Sequence, residues 1–147
     1  MVDTNVLLYA ANVSSPFHPA CRTALESWRR GRTPWYATWA ILYEFLRVTT
    51  HPRVLSPAWS VGQAWSFVDS LLASPGFGVL VATSRHAAVA AQAMREVPQL
   101  SGNLLHDAHT AILMREHGIR RVLTRDTDFH RFPWVEVVDP AAVPPER

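Results

Sequence analysis

The chain contains no lysine; arginine supplies all 14 of its permanently basic side chains. P-loop proteins, haloacid-dehalogenase-type phosphatases and receiver domains each hold phosphate with a lysine ammonium, so the absence excludes all three. The opening block Asp3-Thr4-Asn5 also lacks the Asp-x-Asp pair that such phosphatases use. A coding bias toward arginine accounts for the missing lysine equally well, so it serves only to exclude. Cysteine is nearly as scarce. Cys21, alone, rules out an internal disulfide and a cysteine-cluster zinc site, and its place in an amphipathic stretch suits a small core residue. No apolar run approaches the roughly 20 residues that a membrane span needs, and nothing at the N-terminus reads as a basic region followed by a cleavage site. No membrane association is expected, and the cytoplasm is the expected location.

What is present fits one domain with a real core: 147 residues, 48% of them hydrophobic. The net charge of +2 understates the basic character, because five of the twelve acids fall into one suspected cluster. With those set aside, 14 arginines face seven other carboxylates, a balance of 14 − 7 = +7. An acidic pit in a basic surround suits a polyanion gripped by its phosphates. An ordinary arginine-rich surface explains the balance as well.

Strand-like and helical segments alternate along the chain. Met1-Val2 reads as a very short first strand, where a buried strand usually has about five residues, and Asn5 to Ala10 as a helical turn. Ser14-Ser15-Pro16 offers a helix start, and Gly31 a stop. Trp35 to Ala37 reads as a strand and Trp39 to Val48 as a helix. Ser56-Pro57 supplies an N-cap and first helical position for a helix through Ala73. Phe77 to Val81 is a strand, Ser84 caps a helix running to Pro98, and Asn103 to Gly118 shows helical apolar spacing. Arg121 to Thr124 and Val135 to Val138 complete five strands. The alternation predicts an α/β protein, a three-layer α/β/α sandwich with a mainly parallel five-stranded sheet. The domain is expected to span residues 1–140, with 141–147 a short flexible tail rich in proline.

Asp3, Glu44, Asp107, Asp126 and Asp128 carry the chemistry. Asp3 and Asp126 follow apolar, strand-like runs, the places where open parallel sheets put their ligands. Mg²⁺ and Mn²⁺ take oxygen ligands, usually one or two carboxylates with water and phosphate filling the rest. Asp3 and Asp107 are the expected direct ligands, with Asp126 completing the set. Glu44 is expected to orient waters or hold a second ion, and Asp128 to be auxiliary, reaching the same side if its segment is extended. Such a site supports attack of an activated water on a phosphodiester. Arg47 and Arg125, next to Glu44 and Asp126, are candidates for phosphate contacts. Each residue has a plainer role open to it. Asp3 and Asp107 can cap helices, Glu44 and Arg47 can form a surface pair, and Asp126 and Asp128 can be turn residues. His106 and His109, at i and i+3, lack further zinc ligands and fit packing or an RNA contact better.

In this order, the Asp3 block, Leu42-Tyr43-Glu44-Phe45-Leu46-Arg47-Val48, Leu104-Leu105-His106-Asp107-Ala108-His109 and Thr124-Arg125-Asp126-Thr127-Asp128-Phe129 resemble the acidic motifs of PIN-domain nucleases. The wider stretches Phe45 to Arg53 and Asp128 to Phe132 are similar to those of VapC-type toxin ribonucleases. The resemblance implies a PIN fold, Mg²⁺- or Mn²⁺-dependent cleavage of RNA leaving a 5′-phosphate and a 3′-hydroxyl, and Asn5 and Thr124 orienting carboxylates by hydrogen bonds. It implies a cognate VapB-type antitoxin lying over the active-site groove, and a homodimer. The segment Pro57 to Ala73 carries more apolar side chains than one helix face needs, which fits an interface or ordinary core. Two other readings stay open: a PIN nuclease of RNA processing without an antitoxin, and a catalytically silent RNA- or protein-binding module.

Overall fold

The computed structural model describes residues 1–142. In chain order the elements are α1 (Thr4–Ala11), α2 (His18–Arg30), β1 (Trp35–Thr38), α3 (Trp39–Thr49), α4 (Val61–Leu72), β2 (Phe77–Leu80), α5 (His86–Glu96), α6 (Leu104–Glu116), β3 (Arg121–Leu123), a 3₁₀ turn (Thr127–Arg131) and β4 (Glu136–Val138). Among these residues no helix is long and apolar enough to cross a membrane.

Every strand pairing is parallel. β1 lies beside β2 in the register Trp35↔Phe77 to Thr38↔Leu80, and β3 beside β4 from Arg121↔Glu136 to Leu123↔Val138. Met1 and Val2 join the two pairs. Val2 N–H donates to the Tyr36 carbonyl at 2.8 Å, Leu123 N–H donates to the Met1 carbonyl at 2.8 Å, and Val2 bridges Leu123. The expected five-stranded sheet is therefore four strands plus one bridging segment at its centre. The segment ends at Asp3, whose carboxylate already caps α1.

The order β2, β1, Val2, β3, β4 has a physical consequence. The chain steps outward from Val2 through β1 to β2, then returns past Val2 to β3. Right-handed crossovers in the two directions put α1 to α4 on one face and α5 and α6 on the other, which makes the three layers. Packing agrees: α1 lies against α2 and α3, α3 against α4, and α5 against α6. The reversal falls between Val2 and β3, so the crevice at a topological switch point opens beside Asp3 and Thr124.

The core is built mainly from aliphatic side chains around Phe45, Phe129 and Phe132, all fully buried. α4 contributes Ala64, Val68 and Leu71 to it, and Phe67 stacks on Phe45 with ring centroids 4.7 Å apart. Most of the apolar surplus of residues 57–73 is thus core, leaving Val61 and Trp65 exposed.

Several helix starts differ from expectation. α4 begins after Ser60, not Ser56. Ser60 and Gln63 form a reciprocal capping box, with Gln63 N–H donating to Ser60 Oγ at 3.1 Å and Ser60 N–H to Gln63 Oε1 at 2.8 Å. That satisfies two helix-end donors where a Ser-Pro pair satisfies fewer. α2 starts at His18 with Pro19 in its first turn, since Ser15 is occupied in a local turn with Phe17. α5 starts at His86, because Thr83 and not Ser84 shapes the preceding turn by accepting from Arg85 N–H. At the C-terminus, Ala141 and Ala142 close a turn on Asp139. The rest of the expected flexible tail, residues 143–147, lies outside the described residues.

Candidate metal centre

Asp3 stands at the junction of the central bridge and α1, in extended backbone, and is 9% exposed. Its carboxylate is held from three sides. Thr4 N–H donates to Oδ1 at 2.7 Å; Asn5 Nδ2 and the Thr124 hydroxyl donate to Oδ2 at 2.8 and 2.7 Å. Thr124, fully buried just past β3, also accepts from Asn5 Nδ2 and from Asp126 N–H, both at 2.9 Å. Asn5 closes the ring by accepting from Arg125 N–H at 3.2 Å. The two strand ends flanking the switch point are thereby tied through side chains, and Asp126 is fixed to the same knot.

Asp107 comes from the other layer, in the first turn of α6, and is half-buried. Asp126 caps the 3₁₀ turn by accepting Asp128 N–H at 2.8 Å, which turns the Asp128 side chain back toward it. The segment is therefore not extended, yet oxygens of Asp107, Asp126 and Asp128 all lie within 4.8 Å of one another. Asp128, expected to be auxiliary, belongs to this trio, and Asp3 acts on it through its charge. Phe129 is buried and anchors the turn.

Glu44, in the second turn of α3, is exposed on the opposite wall. It accepts from the Thr4 hydroxyl at 3.3 Å and pairs with Arg47 at 3.5 Å. A groove of about 420 Å³ runs between α3 and α6, with Asp3 and Thr4 at its floor, Tyr43, Glu44 and Arg47 on one wall and His106, Asp107 and Thr110 on the other.

Electrostatics shows that these acids act on one another. Burial pushes the Asp3 carboxyl up to about 6, against the pull of its bonds from Thr124 and Thr4, and the charges of Asp126 and Glu44 add to the rise. Asp107 is pushed up to about 7, first by burial and then by Asp126, Asp3, Asp128 and Glu44 in turn. All four other acids thus bear on Asp107. The nearest basic partners are exposed pairs, Arg47 with Glu44 and Arg131 with Asp128, each at 3.5 Å. Such pairs are worth little, so the cluster carries uncompensated negative charge.

Arg125 does not face this groove. Its guanidinium lies over the Phe17 ring at 3.6 Å, with Nε 3.4 Å from Asp139 Oδ1. Nε and Nη1 are buried without hydrogen-bond geometry to any partner. Arg125 thus ties the loop after β3 to Phe17, at the start of α2, and to Asp139 in the C-terminal turn, and it is not among the groove-lining residues. His106 lines the groove, whereas His109 packs edge-on against His86, and burial lowers its pKa. Sequence reasoning missed Thr4, whose hydroxyl links Glu44 to the floor, and Thr110. Thr4 had a legible signal in its position directly after the acid.

The model of the PIN domain family matches residues 1–135, so the chain belongs to that family. It is similar to ribonuclease VapC48 of Mycobacterium tuberculosis, 30% identical over 94% of each chain. Ribonucleases VapC37 and VapC43 of the same organism are 33% identical over 97% of this chain and 98% of the relative, and 34% identical over 89% and 88%. Among solved structures, VapBC2 from Rickettsia felis, bound to a DNA fragment from its promoter, superimposes with a TM-score of 0.65. It covers 94% of this chain and 96% of its own at 18% identity, a likeness of fold.

Proposed function

We propose that the protein is a divalent-metal-dependent endoribonuclease, the toxin of a VapBC-type toxin–antitoxin pair acting in the cytoplasm. The observation that carries this is the convergence of Asp107, Asp126 and Asp128 oxygens within 4.8 Å, backed by Asp3, with two carboxyls pushed up to about 6 and 7. Neutral solution leaves such a cluster partly protonated, and a divalent cation relieves the repulsion better than protons do. The donors are all oxygen, which suits Mg²⁺ or Mn²⁺ rather than zinc. Asp3, Asp107 and Asp126 would hold the ion, and Asp128 would add a carboxylate from the turn. When bound, the ion supplies Lewis acidity toward water and a phosphodiester.

The chain's own residues do the positioning. Thr124 and Asn5 hold Asp3 in one orientation, and the Asp126 N–H bond to Thr124 makes the second strand end move with it. Glu44, exposed and joined to Thr4, is placed to orient a water on the groove side. Arg47 takes a phosphate of the RNA. The carboxylates repel RNA unless they are neutralised, so substrate binding and cation binding support one another.

The VapC-named relatives support the toxin reading. An antitoxin is expected to lie in the groove and set a basic side chain among Asp3, Glu44, Asp107 and Asp126; a homodimer is the expected assembly. Purified protein is expected to cleave single-stranded RNA, to lose this activity in excess chelator and to regain it with Mg²⁺ or Mn²⁺. Undiminished cleavage in chelator, with contaminating nuclease excluded, overturns the reading. A cognate antitoxin that silences the protein while leaving all these acids solvent-exposed overturns the proposed mode of inhibition.

A further inference from the structure

α3 commits Ile41, Leu42, Phe45 and Thr49 to the core. Its outer ridge is Trp39, Tyr43 and Arg47, at i, i+4 and i+8, rising about 6 Å per step. Tyr43 is 64% exposed and Trp39 41%, their ring centroids 6.3 Å apart and tilted by 56°. Neither ring is explained by the core. Tyr43 and Arg47 line the same groove as Asp3, Glu44 and Asp107, and Arg47 is 67% exposed, held only by a 3.5 Å pair with Glu44.

We infer that this ridge is a base-stacking platform for single-stranded RNA beside the scissile phosphate, with Tyr43 stacking on a base, Trp39 extending the platform past the groove's rim, and Arg47 taking the adjoining phosphate. The inference rests on the ribonuclease reading and adds which residues receive the base. Three features favour RNA over a protein occupant. The aromatic face is continuous with the acid cluster and does not form a separate patch. It is interrupted by a cation and an anion one turn apart, where a protein-binding helix face would be apolar throughout. Stacking tolerates any base, since every base has a π-face, and the tilted Trp39–Tyr43 pair leaves most of the Tyr43 ring open to receive one.

The test separates this inference from the nuclease reading by measuring binding without cleavage. The full-length Asp107→Asn protein is titrated with 12-nucleotide oligo(A) and oligo(U) by fluorescence anisotropy, alone and combined with Tyr43→Ala or Tyr43→Phe; size-exclusion chromatography follows each variant's assembly. Oligo(A), with the larger π-face, is expected to bind more tightly than oligo(U). Tyr43→Ala should weaken oligo(A) about five- to hundred-fold and erase the preference, while Tyr43→Phe retains both. Unchanged affinities in Tyr43→Ala overturn the inference. So does a loss that accompanies a change of oligomeric state, which assigns the ridge to an interface between copies. If wild-type protein shows no metal-dependent cleavage, the nuclease reading fails; if it cleaves RNA and Tyr43→Ala binds normally, only the stacking platform fails.

Discussion

Replacing Asp3 with asparagine removes a charge that the fold holds at a cost, and the cost has a definite pH dependence. The carboxyl moves from an ordinary 3.8 to about 6 on folding, which corresponds to about 3 kcal/mol of destabilisation when it is fully ionised. Because the folded-state pKa is raised, this cost is absent below about pH 4 and reaches its full size as pH rises through 6. Asparagine pays no such cost, but it brings one donor too many. Its amide nitrogen must face either Thr4 N–H or Asn5 Nδ2, leaving a buried donor unsatisfied at about 1–3 kcal/mol. The metal-free variant should therefore be less stable than wild type at pH 4 and equal to it or more stable at pH 8. At about 2–4 °C per kcal/mol for a chain of this size, the difference in Tm should swing by roughly 6–12 °C in favour of the variant. Differential scanning calorimetry in chelator between pH 4 and 8 measures it. A difference in Tm that stays flat across that range would show that Asp3 is not held ionised at a cost, since a purely steric or hydrogen-bond effect does not titrate near 6.

Asp107, pushed up to about 7, must lose its proton for an ion to bind, so Mn²⁺ affinity should fall by up to about tenfold per pH unit below 7; calorimetric titration in buffers of different ionisation enthalpy should show proton release. Thr124→Val strips Asp3 of a donor and leaves Asn5 Nδ2 and Asp126 N–H short of an acceptor. Urea unfolding should show a loss of about 2–4 kcal/mol, with RNA cleavage impaired in the folded fraction. Arg125→Ala should lower stability through its contacts with Phe17 and Asp139 and leave RNA affinity unchanged, whereas Arg47→Ala should weaken RNA binding with little change in Tm; the opposite pattern restores Arg125 as a phosphate ligand.

The strands and most helices were legible because their apolar spacing and their glycine stops are local signals; Trp35–Thr38 leading straight into Trp39–Thr49 is the clearest case. The start of α4 was not, since Ser56-Pro57 and Ser60-Val61-Gly62-Gln63 both carry start signals, and the choice falls to the Ser60–Gln63 capping box together with packing of Trp59 and Phe67 on Phe45. The members of the acidic cluster were readable from their neighbours, but their arrangement was not. Asp128 joins Asp107 and Asp126 because Asp126 accepts its N–H and winds the segment into a 3₁₀ turn, a choice the string Thr-Arg-Asp-Thr-Asp-Phe leaves open. Arg125 is a similar case: adjacency in sequence to Asp126 does not bring its side chain into the groove, and it lies against Phe17, which is more than a hundred residues away in the chain.

If the carboxylates at the switch point form a cation site, Mn²⁺ binding followed by electron paramagnetic resonance will show it. At pH 8, wild-type protein should bind Mn²⁺ saturably, Asp107→Asn should bind at least about tenfold more weakly, and Glu136→Gln, an acid on the exposed edge of β4, should bind as wild type does. Equal Mn²⁺ affinity in wild type and Asp107→Asn would mean that these carboxylates do not hold the ion.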